Sequence, residues 1–135
     1  MPPGSTDLTQ LLGSLDAQVR PGEYVYVTLP PVTALPAGAA ATVVEDEGVT
    51  CVLPRADAER AGIAYEFVAA WLTLTVHSSL EAVGLTAAFA TALADAGISC
   101  NVLAGYHHDH LLVPADQTQR ALGVLRHLSE RHARA

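Results

Sequence analysis

The chain has 135 residues, half of them apolar and 16% charged, with a formal charge of −7 in which every basic residue is Arg. That size and composition describe one small globular fold, or two very small ones sharing a core. The acidic balance argues against nucleic acid, whose phosphates need clustered Lys and Arg; no stretch approaches the ~20 apolar residues of a membrane span; and the start, MPPGSTD, lacks the basic and apolar parts of a signal peptide.

Those exclusions lead to an expected cytoplasmic protein with neither nucleic acid nor membrane as a partner. Residues 1–6 read as a frayed tail. Asp7 is placed to cap a short helix carrying Leu8, Leu11, Leu12 and Leu15, a stripe that must bury against something. Arg20-Pro21-Gly22 reads as a turn, and Glu23–Leu29 (EYVYVTL), rich in β-branched and aromatic residues, as a strand stopped by Pro30-Pro31. The Pro-, Gly- and Ala-rich stretch to Ala41 reads as a loop. Thr42–Asp46 and Val49–Leu53 are strands joined by a hairpin at Glu47-Gly48, and Ala56–Ala61 is a short helix with Gly62 behind it.

The second half repeats the plan. Trp71–Val76 is a strand, Leu85 to Ala96 a helix ended by Gly97, Ile98–Ala104 a strand, Tyr106–Asp109 a polar turn and His110–Val113 its partner strand. Pro114 opens a last helix carrying Ala121, Leu122, Leu125 and Leu128, with Arg126, Arg131 and Arg134 matching the negative end of its dipole. Sliding the sequence by sixty positions lays Val52-Leu53-Pro54 on Leu112-Val113-Pro114, Arg60-Ala61 on Arg120-Ala121 and Val43 on Leu103. At another offset Tyr24–Leu29 falls on Trp71–Val76. The shared order argues for an internal duplication. It predicts an α+β fold of two ferredoxin-like units, 1–64 (preceded within it by the short helix) and 65–135, each an antiparallel sheet with helices on one face. The first unit lacks its first helix.

Cys51 and Cys100 lie in apolar runs, too few for a disulfide framework and wrongly spaced for a metal knuckle, and read as buried thiols.

At HSSLEAVGLTAAFATALADAGISCNVLAGYHHDHLLVP, residues 77–114, the sequence resembles the ACT domain family: the small tandem ACT-like proteins, the ACT pairs of aspartokinases and the CASTOR arginine sensors. The matching pieces are the strand end His77-Ser78-Ser79, the loop Leu80–Gly84, the following helix, AGIS at 96–99 and the Tyr-x-x-Asp turn of Tyr106–Asp109. Residues 23–62 fit more loosely, through YVYVTLP and EGVTCVLP. The resemblance implies regulatory binding of an amino-acid-like metabolite at an interface of two ACT units, usually without catalysis. A homodimer is expected, because edge strands of ferredoxin-like sheets pair readily across a two-fold. No cofactor is expected.

The residues suit that chemistry. A strand end feeding a helix start through Ser78, Ser79, Val83, Gly84 and Leu85 leaves backbone N–H groups able to receive a carboxylate, aided by the helix dipole. Capping of the helix by Ser78 or Ser79 and packing at Gly84 explain the same residues. Asp109 can hold an ammonium group, the role the resemblance implies for it; a turn aspartate bonding its own backbone is the alternative. Asn101, an amide in an apolar strand, either lines the site or satisfies an edge group, and Tyr106 closes over a ligand or plugs the hairpin end. Only the second unit carries the glycine loop, so one ligand site per chain is expected.

Two other classes compete: a structural module that dimerises or binds an enzyme without ligand, and a metal protein using His107, His108 and His110, joined by His77. A closed zinc site wants four converging ligands, which these spacings do not supply. A Ser/His/Asp hydrolase lacks its Gly-x-Ser-x-Gly elbow, and Glu45-Asp46-Glu47 reads as a solvated turn. No catalytic residue is expected.

Overall fold

The computed structural model describes residues 4, 6–31 and 34–133. By packing, the chain divides into two compact units within strand β5 (Glu66–Leu74): a smaller one of residues 21–70, and a larger one that joins residues up to Arg20 to those from Trp71 onward. The expected frame of 1–64 and 65–135 follows the repeat, whereas packing places the N-terminal helix with the second half.

In the smaller unit, β2 (Tyr24–Leu29), β3 (Ala41–Glu45), β4 (Gly48–Pro54) and the start of β5 form antiparallel ladders in the order β3-β4-β2-β5. The hairpin turn falls at Asp46-Glu47, one residue before the expected pair, because Glu45 pairs with Gly48. Strand β4 runs into α2 (Arg55–Arg60) at Pro54, whose fixed φ suits the step from extended chain to first helical turn. Val25, Val27, Cys51, Leu53 and Ala58 form this unit's core, with Ile63, Tyr65 and Val68 packed against it. Between β2 and β3 the described residues hold no helix. Arg55 fastens α2 to its surroundings, donating to Glu23 at 3.0 Å and, from Nε, to Glu59 and the Tyr65 hydroxyl, both at 2.9 Å.

Strand β5 starts five residues before the expected Trp71 and ends two before Val76. Its first part pairs with β2 through a bulge: Val25 faces Val68 but Tyr26 faces Glu66, leaving Phe67 as the extra residue at φ 58. Alternation is lost at such a bulge, which hid this half of the strand.

In the larger unit, α1 (Leu8–Gly13) starts where expected, with Asp7 accepting from the Gln10 N–H at 3.1 Å. Leu11, Leu12 and Leu15 are buried, and α1 packs on α3 (Leu85–Asp95) and α4 (Thr118–Ala133). A short strand that the sequence reading missed, β1 (Ala17–Val19), pairs with Leu72–Leu74 of β5. With three residues and mostly exposed side chains it has no pattern to show. Strands β6 (Asn101–Ala104) and β7 (Asp109–Pro114) form a hairpin, β7 lying next to β5.

Helix α3 ends in a Schellman motif: Gly97 N–H donates to Ala94 O and Ile98 N–H to Leu93 O, both at 2.9 Å, with Gly97 at φ 74. That cap holds Ile98 on the helix end, so β6 begins only at Asn101 instead of Ile98; Cys100 precedes the strand and is half-buried. Pro114 closes β7, and a 3-10 turn over Ala115–Gln117 precedes α4, which buries Ala121, Leu125 and Leu128.

The two units share one local plan. Pro54 (φ −56, ψ 137) and Pro114 (φ −53, ψ 133) stand at the same strand-to-helix step in nearly the same backbone conformation. Each is an antiparallel α+β arrangement, with the helix between the first two strands present only as α3.

Candidate functional site

The second half builds a small polar cavity of about 90 Å³ from three pieces of chain. Past the end of β5, a turn at Ser79 forms where Ala82 N–H donates to Ser79 O at 2.9 Å and Glu81 N–H to Ser79 Oγ at 3.1 Å. Helix α3 then starts at Gly84, in the left-handed region at φ 101, with no side chain capping it. A Cβ there would strain the backbone and come within 2.9 Å of Leu8 Cδ2. The first-turn N–H groups of α3 are therefore left to solvent or ligand, at the positive end of the helix dipole.

Across the cavity, the β6–β7 hairpin pairs Ala104 with Asp109 and closes through Gly105 N–H to His108 O at 2.9 Å. A Cβ on Gly105 would meet that same oxygen at 2.9 Å and His110 Nε2 at 3.1 Å, so the turn tolerates only glycine without rearranging.

Of the residues the sequence singles out, Ser78, Ser79, Leu85 and Asp109 line this cavity together. Gly84 sets the helix start beside it. Val83 is 84% exposed, and Tyr106 is 57% exposed with its ring on His107 at 5.1 Å; neither lines the cavity. Asn101 is exposed and pairs with Leu112, at the opposite end of the hairpin from Asp109. The lining that the sequence reading missed includes Thr86, Ala104 and Gly105. The Thr86 hydroxyl in the first turn of α3 was a readable signal; Ala104 depended on the hairpin register. Neither Ser78 nor Ser79 caps α3, which removes that alternative for them.

Electrostatically the cavity has two ends. Burial pushes the Asp109 carboxyl above its usual range, opposed by a long hydrogen bond from Ser78 Oγ at 3.5 Å and by His110 and His108. Opposite it stand the hydroxyls and open N–H groups of the strand end and helix start. A partly desolvated carboxylate held by one long hydrogen bond gains when a cation arrives; uncapped N–H groups gain when an anion does.

The histidines surround this site without forming a metal centre. His77, His107 and His108 have ring centroids 5.4 to 6.4 Å apart, and His77 Nε2 is buried without a partner. Among the described residues no group of three or more His, Cys, Asp or Glu converges to hold a metal ion. His110 belongs to a separate polar cluster: the Trp71 indole N–H lies 3.2 Å from both Thr73 Oγ1 and His110 Nδ1, and the Arg20 guanidinium sits 4.2 Å above the Trp71 ring.

A larger cleft of about 510 Å³ lies between α3 and α4, lined by Ala92, Ala96 and Gly123 with Arg120, His127 and Arg131. Arg120 is committed there, donating to Ala96 O at 2.6 Å at the carbonyl end of α3. That is helix-end chemistry, and the Asp95 carboxylate stands among the basic side chains of the same cleft.

Two ACT-domain family models match the chain in tandem, over residues 3–70 and 66–127. The chain belongs to the ACT domain family. A crystal structure of a Vibrio cholerae protein of unknown function, described as a possible transport protein, is 44% identical; the alignment covers 92% of this chain and 97% of that one, at a TM-score of 0.80. An Agobacterium tumefaciens protein is similar at 17% identity and TM-score 0.69, over 85% and 89% of the two chains. The ligand-free regulatory subunit of aspartate kinase from Thermus thermophilus shares the fold at 10% identity and TM-score 0.56, over 83% and 95%. No curated protein matches. Tandem ACT domains are a fold of regulatory small-molecule binding, and the cavity described above lies in the second ACT match. Among the described residues no helix is long and apolar enough to cross a membrane.

Proposed function

We propose that the protein is a non-catalytic sensor or regulatory module that binds an amino-acid-like molecule in the cavity between Ser78–Ser79, the start of α3 and Asp109. The observation that carries this reading is the two-ended cavity: a raised, half-buried Asp109 carboxylate faces hydroxyls and an uncapped helix N-terminus. An α-amino acid presents the complementary pair, an ammonium group for Asp109 and a carboxylate for Ser78, Ser79 and the N–H groups of Leu85 and Thr86. About 90 Å³ suits the head group alone and falls below the ~300–1,000 Å³ of pockets that enclose drug-sized ligands. The side chain of the ligand therefore projects outward. Its unpaired thiols suit a reducing compartment, in keeping with the cytoplasm, and a homodimer is the assembly we favour.

Thermal unfolding of the purified chain against all twenty amino acids tests the proposal. A ligand at a hundred times its Kd stabilises by about 2.7 kcal/mol, or roughly 10 °C in a chain of this size. Asp109→Ala should erase that shift while the fold remains. A flat response across the panel, or an undiminished shift in Asp109→Ala, would sink the assignment.

A further inference from the structure

An amino-acid head group in the Asp109 cavity does not use all of its lining. On the reading above, Asp109 takes the ammonium, while Ser78, Ser79 and the first turn of α3 take the carboxylate. The lining that remains is Leu80, Ala82, Ala104 and Gly105. Its main chain is partly committed: Ala82 N–H donates to Ser79 O and Gly105 N–H to His108 O, both at 2.9 Å. What these four residues turn towards a ligand is therefore mostly carbon. Among the described residues, Asp109 is the one charged group in the lining.

Two of those residues stand at the open side of the cavity. Leu80 lines it and is nevertheless 64% exposed, which puts this side chain at the mouth. The hydrogen bond from Ala82 N–H to Ser79 O makes Leu80 and Glu81 the two corner residues of a turn. Such corners usually carry Gly, Pro, Asn, Asp or Ser; a leucine there keeps apolar surface in water. On the hairpin side, Ala104 is exposed and pairs with Asp109 across the β6–β7 ladder. Directly paired residues share a sheet face, with Cβ atoms about 4.5–5.5 Å apart. An ammonium group on Asp109 thus has a methyl group beside it. A charged side chain leaving the cavity finds no second charge in the lining to pair with.

We infer that the ligand is an amino acid with an uncharged aliphatic side chain of about leucine size, and that Leu80 determines this specificity. The inference rests on the amino-acid reading and adds the class of side chain. The cavity holds the head group, and the side chain lies over Leu80 and Ala104, covering apolar surface that otherwise faces water. Glycine and alanine make the head-group contacts but are too short to cover Leu80.

Isothermal titration of the purified full chain with leucine, methionine, alanine, arginine and glutamate tests the inference. Leucine or methionine should bind roughly ten-fold or more tighter than alanine, at about four-fold per buried methylene, and tighter than arginine or glutamate. Leu80→Ser should bring leucine close to alanine's affinity while leaving alanine's unchanged. Leu80 is exposed, so the variant should unfold at the wild-type temperature. Val83→Ser is the control. Val83 is 84% exposed in the same loop but lies outside the lining, so that variant should bind leucine as the wild type does. Arginine or glutamate binding as tightly as leucine overturns the inference. An arginine preference that Glu81→Gln removes would give the selectivity to the other corner of the turn. An unchanged leucine-to-alanine ratio in Leu80→Ser, or an equal loss in Val83→Ser, overturns it as well. If Asp109→Ala still abolishes binding in those cases, the amino-acid reading survives without this refinement. Binding of none of the five overturns the inference too, and leaves the amino-acid reading to the wider panel.

Discussion

At the scale of single residues, the candidate site depends on backbone that only glycine adopts easily. Gly84 stands at φ 101 with Leu8 Cδ2 where a Cβ would intrude. Gly84→Ala should therefore cost about 1–2 kcal/mol in urea unfolding, the penalty of left-handed backbone for a residue with a Cβ. A variant as stable as the wild type would show that the loop relaxes freely and does not pre-form the helix start. His110 makes a different residue-scale prediction. Its Nδ1 lies 3.2 Å from the Trp71 N–H and 3.0 Å from Thr73 Oγ1, so the ring shares its hydrogen bonding with both. Burial first, then Arg20 and His108, lower its pKa below the ordinary 6.5, against the pull of Asp109. Well above pH 6.5 the ring is neutral folded or unfolded and costs nothing. As pH falls from there through the folded value, the unfolded chain takes up the proton first, and stability declines. Denaturant midpoints measured between neutral pH and about pH 5 should fall, and less steeply in His110→Gln. An identical slope in the variant would assign the titration to other groups.

At the scale of elements, α3 shows how little holds the site in place. Its sequence, LTAAFATALAD, buries only Leu85, Phe89 and Leu93, spaced four apart, with five alanines filling most of the rest. Three side chains thus anchor the helix whose N-terminus forms one end of the cavity. Phe89 is fully buried, and Phe89→Ala should cost about 3–5 kcal/mol, a large share of the ~5–15 kcal/mol that holds a domain together. The check is calorimetric unfolding; a loss under about 1 kcal/mol would mean that neighbouring side chains collapse into the space. The same helix shows what the sequence made legible. Periodicity and the Gly97 stop gave α3 nearly to the residue, because both signals are local. The start of β5 was hidden by the Phe67 bulge, which breaks alternation, and β1 was hidden by its brevity. The candidate site divides the same way. Ser78, Ser79, Leu85 and Asp109 share a motif and a cavity, whereas Ala104 joins through strand register, and Asn101 is carried away from Asp109 by that register.

At the scale of the whole molecule, sequence repeat and packing divide the chain at different places. The repeat reads in order along the chain, as do the tandem family matches, yet the larger compact unit is discontinuous, joining residues up to Arg20 with those from Trp71. The leucine stripe of α1 explains this. Leu11, Leu12 and Leu15 are each at most 4% exposed, and α1 packs against α3 and α4. Fully burying a leucine is worth about 1.5–3 kcal/mol, so the three together contribute roughly 5–9 kcal/mol before chain entropy, comparable to the net stability of a small domain. Strand β1 adds the pairing of Ala17–Val19 with Leu72–Leu74. A fragment of residues 65–135 contains the entire second ACT match but neither piece. It should therefore expose an apolar strip on α3 and α4, bind a hydrophobic dye such as ANS, and unfold without a cooperative transition. Supplying residues 1–20 through a flexible linker to the end of the fragment should restore a sharp transition, because the larger unit would again be covalently complete. If the bare fragment melts as cooperatively as the full chain, the N-terminal helix is an accessory and the repeat frame, not the packing frame, is the folding unit.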